Sequence, residues 1–176
     1  DRMLWLTQKL PEDGMKLKAI LCLAASLCLL APAELPAKTF RWTSKSDATT
    51  LDPHGNDEGF TNAINMLVYE RLIQPGKDMS LTPWLATSWK SASPTKRVVT
   101  LRKGVKFHDG TPFTADDVVF SFDRAMRTKQ FKTYAAQAGK ARKVDDFTVE
   151  FVTETPVPTA ITALTQVPIM SKAWSE

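Results

Sequence analysis

Two adjacent residues, His108 and Asp109, come closest to a catalytic pairing in this sequence of 176 residues. A histidine beside a carboxylate could act as a base that the carboxylate orients. Asp109-Gly110 is also a turn dipeptide, and adjacent residues in a tight turn point in different directions. No serine or cysteine lies in a recognisable nucleophile elbow motif. We therefore expect no catalytic residue and keep a secreted hydrolase using His108 and Asp109 as a competing hypothesis.

The second histidine, His54, is the other candidate for site chemistry. The separation between His54 and His108 fits no local metal-ligand pattern such as HExxH. His54 follows Asp52-Pro53, so we expect it to help close a loop. The sequence therefore predicts neither a metal site nor a cofactor.

The adjacent acids Asp116 and Asp117 could be taken for a catalytic carboxylate pair. They follow Thr114, a residue type that caps helices, and carboxylates in a first helical turn stabilise the positive end of the helix dipole. Helix capping and the helix dipole therefore explain why both acids lie at these positions, without a catalytic role. Trp84 and Trp89 could stack on a ligand, but large aromatic side chains dominate small cores, so we expect both to be buried.

The net charge of +4 is spread along the chain, and its densest basic cluster is Arg102, Lys103 and Lys106. A nucleic-acid platform needs aromatic residues between the basic ones, and this cluster has none. We therefore predict a solvated basic face and no binding of nucleic acid.

The segment from Thr100 to Arg124 must position most of these residues. Its pattern predicts a strand, a turn at His108 to Thr111 and a helix capped by Thr114. Apolar residues then recur at helical spacing, which predicts one stripe facing the core: Val118, Val119, Phe122, Ala125 and Met126.

Before this segment, Thr39 to Ser44 alternates like a strand and Ser46 to Pro53 is a polar loop. Asn56 or Asp57 would then cap a helix that ends at Pro75-Gly76. The apolar stripe of this helix is predicted to contain six residues: Phe60, Ala63, Ile64, Leu67, Val68 and Leu72.

A hairpin follows, in which a turn at Ser91 to Thr95 joins the arm Leu81 to Trp89 to a strand at Arg97 to Lys103. Beyond the central helix, the pattern predicts a loop or frayed helix, an alternating strand, a short helix and a last strand: Lys129–Lys143, Val144–Val152, Thr159–Leu164 and Val167–Met170.

The amino-terminal residues have the pattern of an export signal. Met15 to Lys18 is a basic n-region, Ala19 to Ala31 is an apolar h-region, and Ala33 or Ala37 suits cleavage. A membrane helix is the competing interpretation, but it needs about 20 apolar residues. We therefore predict an upstream extension, a signal peptide and an exported domain: residues 1–14, 15–37 and 38–176.

The run LRKGVKFHDGTPFTADDVVFSFDR, from Leu101 to Arg124, resembles the signature segment of the family 5 extracellular solute-binding proteins. These are the peptide, oligopeptide and nickel receptors of ABC importers. Four shorter stretches match the family in the same order: Leu51–His54, Tyr69–Leu72, Pro83–Trp89 and Val144–Val149. Together the matches extend from Thr39 to about Lys172.

The resemblance implies a mixed α/β fold like that of the type II periplasmic binding proteins, with part of lobe I and its small subdomain. Family members are several times longer, so we expect an amino-terminal fragment that lacks lobe II. In the family, the loop after the first strand and the start of the next helix face the solute. By position this implicates eight ligand-binding residues: Ser46, Asp47, Ala48, Thr49, Asp57, Glu58, Gly59 and Phe60. An ordinary polar loop with a helix cap is the alternative.

The resemblance implies a periplasmic binding protein that captures a solute, with peptides as the favoured class. The protein is expected to be a monomer and not an enzyme. Solute would be enclosed when two lobes close on a hinge. The closed form would dock on an ABC permease, whose ATPase subunits hydrolyse ATP. Two other hypotheses stay open, namely a non-functional truncated remnant and the hydrolase fragment.

Overall fold

The computed structural model describes Thr39 and residues 43–175. The strands and helices of the described residues all lie within one compact unit that begins at Ser44. Of the predicted first strand, residues 40–42 lie outside the described part of the chain, as do the predicted extension and signal peptide.

Two antiparallel sheets run through this unit. The smaller pairs β1 (Ile73–Pro75) with β2 (Leu81–Pro83). The larger has the strand order β3, β4, β6, β5, and its strands are β3 Ala86–Ser93, β4 Lys96–Leu101, β5 Lys140–Asp145 and β6 Thr148–Val152. Short turns join β3 to β4 and β5 to β6, so the predicted hairpin around residues 91–95 is confirmed.

The helices of the described residues are α1 Gly59–Asn65, α2 Ala115–Met126, α3 Lys132–Ala138, α4 Ala160–Ala163 and α5 Lys172–Ser175. The predicted start of α2 is confirmed, because the Thr114 N–H donates to Asp117 Oδ2 at 2.8 Å. The turn before α2 is confirmed as well: Gly110 has a φ of +87°, which favours glycine, and its N–H donates to the Phe107 carbonyl.

The core lies between α2 and the larger sheet. Val118 and Phe122 of α2 are fully buried, and the Phe122 ring meets that of Phe151 edge-on with centroids 4.8 Å apart. Val149 and Phe151 face the same side of β6, as their alternation predicted. Met126 is 39% exposed, so the predicted stripe is wrong at its last position, where α2 ends.

Helix α1 differs from its prediction in cap, length and buried face. Glu58 caps it, rather than Asn56 or Asp57, and it ends at Asn65. Leu67 and Val68 therefore lie on the surface. The chain leaves the helix early because Leu72 is fully buried beside β3, where its carbonyl accepts from the Ala86 N–H. Tertiary packing overrides the apolar helical pattern here.

Residues 129–143 contain more structure than predicted, since α3 is followed directly by β5. Strand β5 is at an edge and buries only Ala141, so its basic, exposed residues hid the strand pattern. Val144 accordingly belongs to β5 rather than to the strand that begins at Thr148. The predicted strand at Val167–Met170 is buried but makes one isolated bridge, between Pro168 and Arg71.

Candidate functional site

The turn at His108 to Thr111, which first suggested catalysis, is closed by hydrogen bonds between its own residues. The Asp109 carboxylate accepts from the Thr111 N–H at 2.9 Å and from the Thr111 hydroxyl at 2.6 Å. These bonds, the hydroxyl first, hold the pKa of Asp109 below its usual value. The carboxylate of Asp109 thus closes the turn, and His108 lies exposed beside it.

The other candidate groups also have structural partners. Asp117 caps α2 and accepts from the Lys172 N–H, while Asp116 forms an ion pair with Lys143 at 2.6 Å. Trp84 is only partly buried, and its indole N–H donates to Glu70 at 2.7 Å. Within residues 43–175, no group of three or more His, Cys, Asp or Glu side chains is placed to hold a metal ion.

The two predicted binding segments meet in the structure. The Thr49 N–H donates to the Thr61 hydroxyl of α1 at 3.1 Å, and Asn56 Nδ2 donates to the Thr49 hydroxyl at 2.7 Å. Ser46 and Asp47 lie exposed just before this contact. The loop of residues 46–49 is therefore held against the start of α1, as the prediction requires for one shared surface.

The N–H groups at the start of α1 are already engaged. Glu58 Oε1 accepts from the Phe60 N–H at 3.4 Å, and Oε2 accepts from the Thr61 N–H at 3.2 Å and from the Thr61 hydroxyl at 2.8 Å. The bond from the Thr61 hydroxyl is the main cause of a lowered pKa of Glu58. A solute would therefore meet side chains here rather than these two N–H groups.

Asp57 joins α1 to α3 through its carboxylate. Its Oδ1 accepts from Asn62 Nδ2 at 2.6 Å, and its Oδ2 accepts from the Tyr134 hydroxyl at 3.2 Å. The negative charge of Asp57 is the largest cause of a raised pKa of Tyr134. Sequence reasoning missed Tyr134, because its segment shows no clear period and Asp57 lies 77 positions earlier in the chain.

A fourth residue, Arg71, adds a cation to this cluster. Its Nη1 donates to the Thr165 carbonyl at 3.0 Å, and the negative charge of Asp57 acts on its guanidinium. We call Asp57, Asn62, Tyr134 and Arg71 the polar cluster. It brings a carboxylate, an amide, a phenol and a guanidinium onto one surface, and of these residues only Asp57 was predicted from the sequence.

The buried His54 is linked to the polar cluster through Phe131, which packs against Tyr134. It is fully buried, its Nε2–H donates to the Pro168 carbonyl at 2.9 Å, and its ring lies 5.4 Å from that of Phe131. Phe131 in turn packs against Tyr134, with centroids 6.1 Å apart. Burial lowers the pKa of His54 to about 4, so the ring is neutral at pH 7. The expectation that His54 closes a loop is confirmed.

An ion pair fixes the same loop from the other side. Arg124 of α2 donates from Nη1 and Nη2 to the two Asp52 oxygens at 2.9 and 2.8 Å, the fork geometry of a strong arginine–carboxylate contact. This pairing is the first cause of a lowered pKa of Asp52. The Leu51–His54 stretch thus ties this part of the chain to α2 and to Pro168.

Comparison with known proteins identifies the family of this chain. Residues 80–175 match the middle part of the bacterial extracellular solute-binding proteins, family 5. This chain belongs to that family. The probable deoxycholate-binding periplasmic protein YgiS of Escherichia coli K12 is a relative, 33% identical over 150 residues that cover 73% of this chain and 28% of YgiS. The family 5 chain thus spans less than a third of that relative's length.

Solved structures agree with the family 5 assignment. The ABC transporter substrate-binding protein CtaP of Listeria monocytogenes matches with a TM-score of 0.64 and 29% identity, over 74% of this chain and 28% of CtaP. The oligopeptide-binding protein AppA of Bacillus subtilis, solved with a nonapeptide, matches with a TM-score of 0.62 and 25% identity, over 68% of this chain and 25% of AppA. The predicted fold, a mixed α/β part of a type II-like periplasmic binding protein, is confirmed.

The described residues contain no helix that is both long enough and apolar enough to cross a bilayer.

Proposed function

We propose that this chain contributes to the solute-capturing component of an ABC importer and that its solutes are peptides. The polar cluster is the observation that carries the proposal, because a carboxylate, an amide and a phenol offer partners to the ammonium and amide groups of a peptide. AppA, a relative of similar fold, was solved with a nonapeptide. We place the solute against the cluster and against the predicted segments Ser46–Thr49 and Asp57–Phe60.

The proposed mechanism starts from a binding surface whose side chains are held in place by the fold. Asp57 and Tyr134 lie on different helices and are oriented by each other, so the surface is organised before solute arrives. Solute contacts made only in a closed state favour closure of two lobes, and the closed form then docks on a permease. In this proposal the chain binds its solute without chemical change and acts as a monomer, while separate ATPase subunits supply the energy.

The proposal includes export. YgiS is a periplasmic protein by name. We assign residues 15–37 as a signal peptide, residues 1–14 as an upstream extension and residues 38–176 as part of the periplasmic domain. Mass spectrometry of the protein recovered from the periplasm should find an amino terminus near residue 38. An intact segment 15–37 in the mature protein would contradict the assignment.

Titration calorimetry of the complete gene product with a set of tri- to pentapeptides tests the function. We expect saturable binding, recovery of the peptide unchanged, and about a tenfold weaker affinity in Asp57→Asn, since a hydrogen bond to a charged group contributes about 1.5–3 kcal/mol.

Asp116→Asn is the matched control, because Asp116 lies outside the polar cluster and its partner Lys143 keeps a second ion pair, with Asp146. Hydrolysis of the peptides would replace the proposed function with catalysis. Absence of binding by the unaltered protein would contradict it outright.

A further inference from the structure

Arg71 occupies a connecting position in the polar cluster. It lies between α1 and β1, pairs with Pro168 in an isolated bridge, and its carbonyl accepts from the Leu85 N–H. The backbone of Arg71 is therefore fixed on two sides. Its side chain, which is partly buried, reaches the Thr165 carbonyl with Nη1 only.

The other edge of the guanidinium has no partner among the described residues. Nε is shielded from water and makes no hydrogen bond, and no carboxylate oxygen of residues 43–175 lies within 4.0 Å of the side-chain nitrogens. Burial accordingly lowers the pKa of Arg71. A shielded cation is costly until an anion pairs with it.

Comparison with Arg124, which is partly buried, and with Arg97, which is buried, shows what is particular to Arg71. Arg124 is matched by the fork of Asp52, so its charge is satisfied. Arg97 also has an unpartnered Nε, but it is 6% exposed and held by Val157 and Thr153, so no solute reaches it. Arg71 is more accessible than Arg97, and it lies beside the candidate binding residues.

The neighbouring Asp57 does not neutralise Arg71 by direct contact. Both Asp57 oxygens are used, one by Asn62 and one by Tyr134. Beyond Thr165, Gln166 is partly exposed, and its amide donates to the Thr165 hydroxyl at 2.8 Å. The segment that accepts the Nη1 hydrogen bond of Arg71 thus carries hydrogen-bonding side chains of its own.

We propose that the Nη1 and Nη2 end of the Arg71 guanidinium binds a carboxylate of the solute, because Nη2 has no hydrogen-bond partner among the described residues and Nη1 uses only one of its two hydrogens. Rigid arginine forks match the two oxygens of a carboxylate, which a lysine in the same place does not. This inference rests on the proposed function and deepens it: the solute is an acid or a peptide bound by its carboxyl end, with its remaining polar groups toward Asp57 and Tyr134.

The test compares free and amidated peptides on the complete gene product. The probes are the same set of tri- to pentapeptides with a free carboxyl end or with a carboxamide end. We expect the free acids to bind about 10- to 100-fold more tightly, since a charge-assisted hydrogen bond contributes on this scale. In Arg71→Gln the ratio of the two affinities should fall to about one, and in Arg71→Lys it should be intermediate.

Arg127→Gln is the matched control, because Arg127 is exposed at the end of α2 and should leave the ratio unchanged. The ratio is measured within one variant, so a general loss of stability does not imitate the effect. If both peptide sets bind equally, or if Arg71→Gln keeps the preference, the role of Arg71 is refuted while the proposed function stands. If neither set binds the unaltered protein, both are refuted.

Discussion

The sheet region, residues 86–152, and the candidate loop region, residues 44–72, are held together by different interactions. The sheet region is joined by hairpin ladders and by apolar burial such as the contact of Phe122 with Phe151. The candidate loop region relies on hydrogen bonds from individual polar side chains, above all Asp52 and His54. Truncating an apolar side chain should therefore damage the first region, and altering a charge or protonation state should damage the second.

The strongest test of the comparison truncates the core of the sheet region. Phe122→Ala should lower the free energy of unfolding by about 3–5 kcal/mol, because Phe122 is fully buried against Phe151 and leaves a cavity. Urea denaturation of the complete gene product measures this loss. Met126→Ala, on the same helix but 39% exposed, is the control and should cost far less. Equal losses in the two variants would break the comparison.

The second prediction concerns the effect of acid on the stability of the candidate loop region. The pKa of His54 is lowered from 6.5 to about 4 by burial, so at pH values between the two the unfolded chain binds a proton that the folded chain does not. The free energy of unfolding should therefore fall, by about 3 kcal/mol in all, as pH is lowered from above 6.5 to about 4.

Urea denaturation at a series of pH values measures the effect, and His54→Gln should remove this part of the slope. His108→Gln alters the other histidine, which is exposed, and should keep the slope. A slope of the same size in His54→Gln would show that other groups cause the acid sensitivity and that the His54 contact does not control the loop.

The smallest expected effect comes from the ion pair between Asp52 and Arg124. A double-mutant cycle with Asp52→Asn and Arg124→Met should give a coupling free energy of about 1 kcal/mol, because both side chains are partly open to water. The folded-state pKa of Asp52 is lowered, so its contribution exists above the unfolded pKa of 3.8 and is lost as pH falls below it. A coupling free energy near zero would show that this ion pair does not stabilise the loop that contains Asp52.

The sheet region was largely predictable because its signals are local. Thr114 and Asp117 lie three positions apart, and the turn at Asp109-Gly110 needs only neighbouring residues. Alternation along Val149 and Phe151 likewise reports one buried face. Edge strand β5 was missed because a strand paired on one side can keep charged residues along most of its length.

The candidate site was less predictable because its contacts join distant parts of the chain. Asp57 was selected from a resemblance, but its partner Tyr134 lies in a segment without periodicity. Arg71 looked like one residue of a matching stretch, and only the fold shows that its guanidinium lacks an anion. Leu67 and Val68 mimicked a helix stripe because a pattern of apolar residues does not reveal where tertiary contacts end a helix.

The hydrogen bond between His54 and the Pro168 carbonyl also sets an order of events. It spans 114 positions, and a contact across so long a separation forms only after the intervening chain is available and its closure entropy is met. When a ribosome delivers this polypeptide from its amino end, the hairpins of the sheet region can assemble first. The surface beside Tyr134 is then complete only after Pro168 has joined the fold.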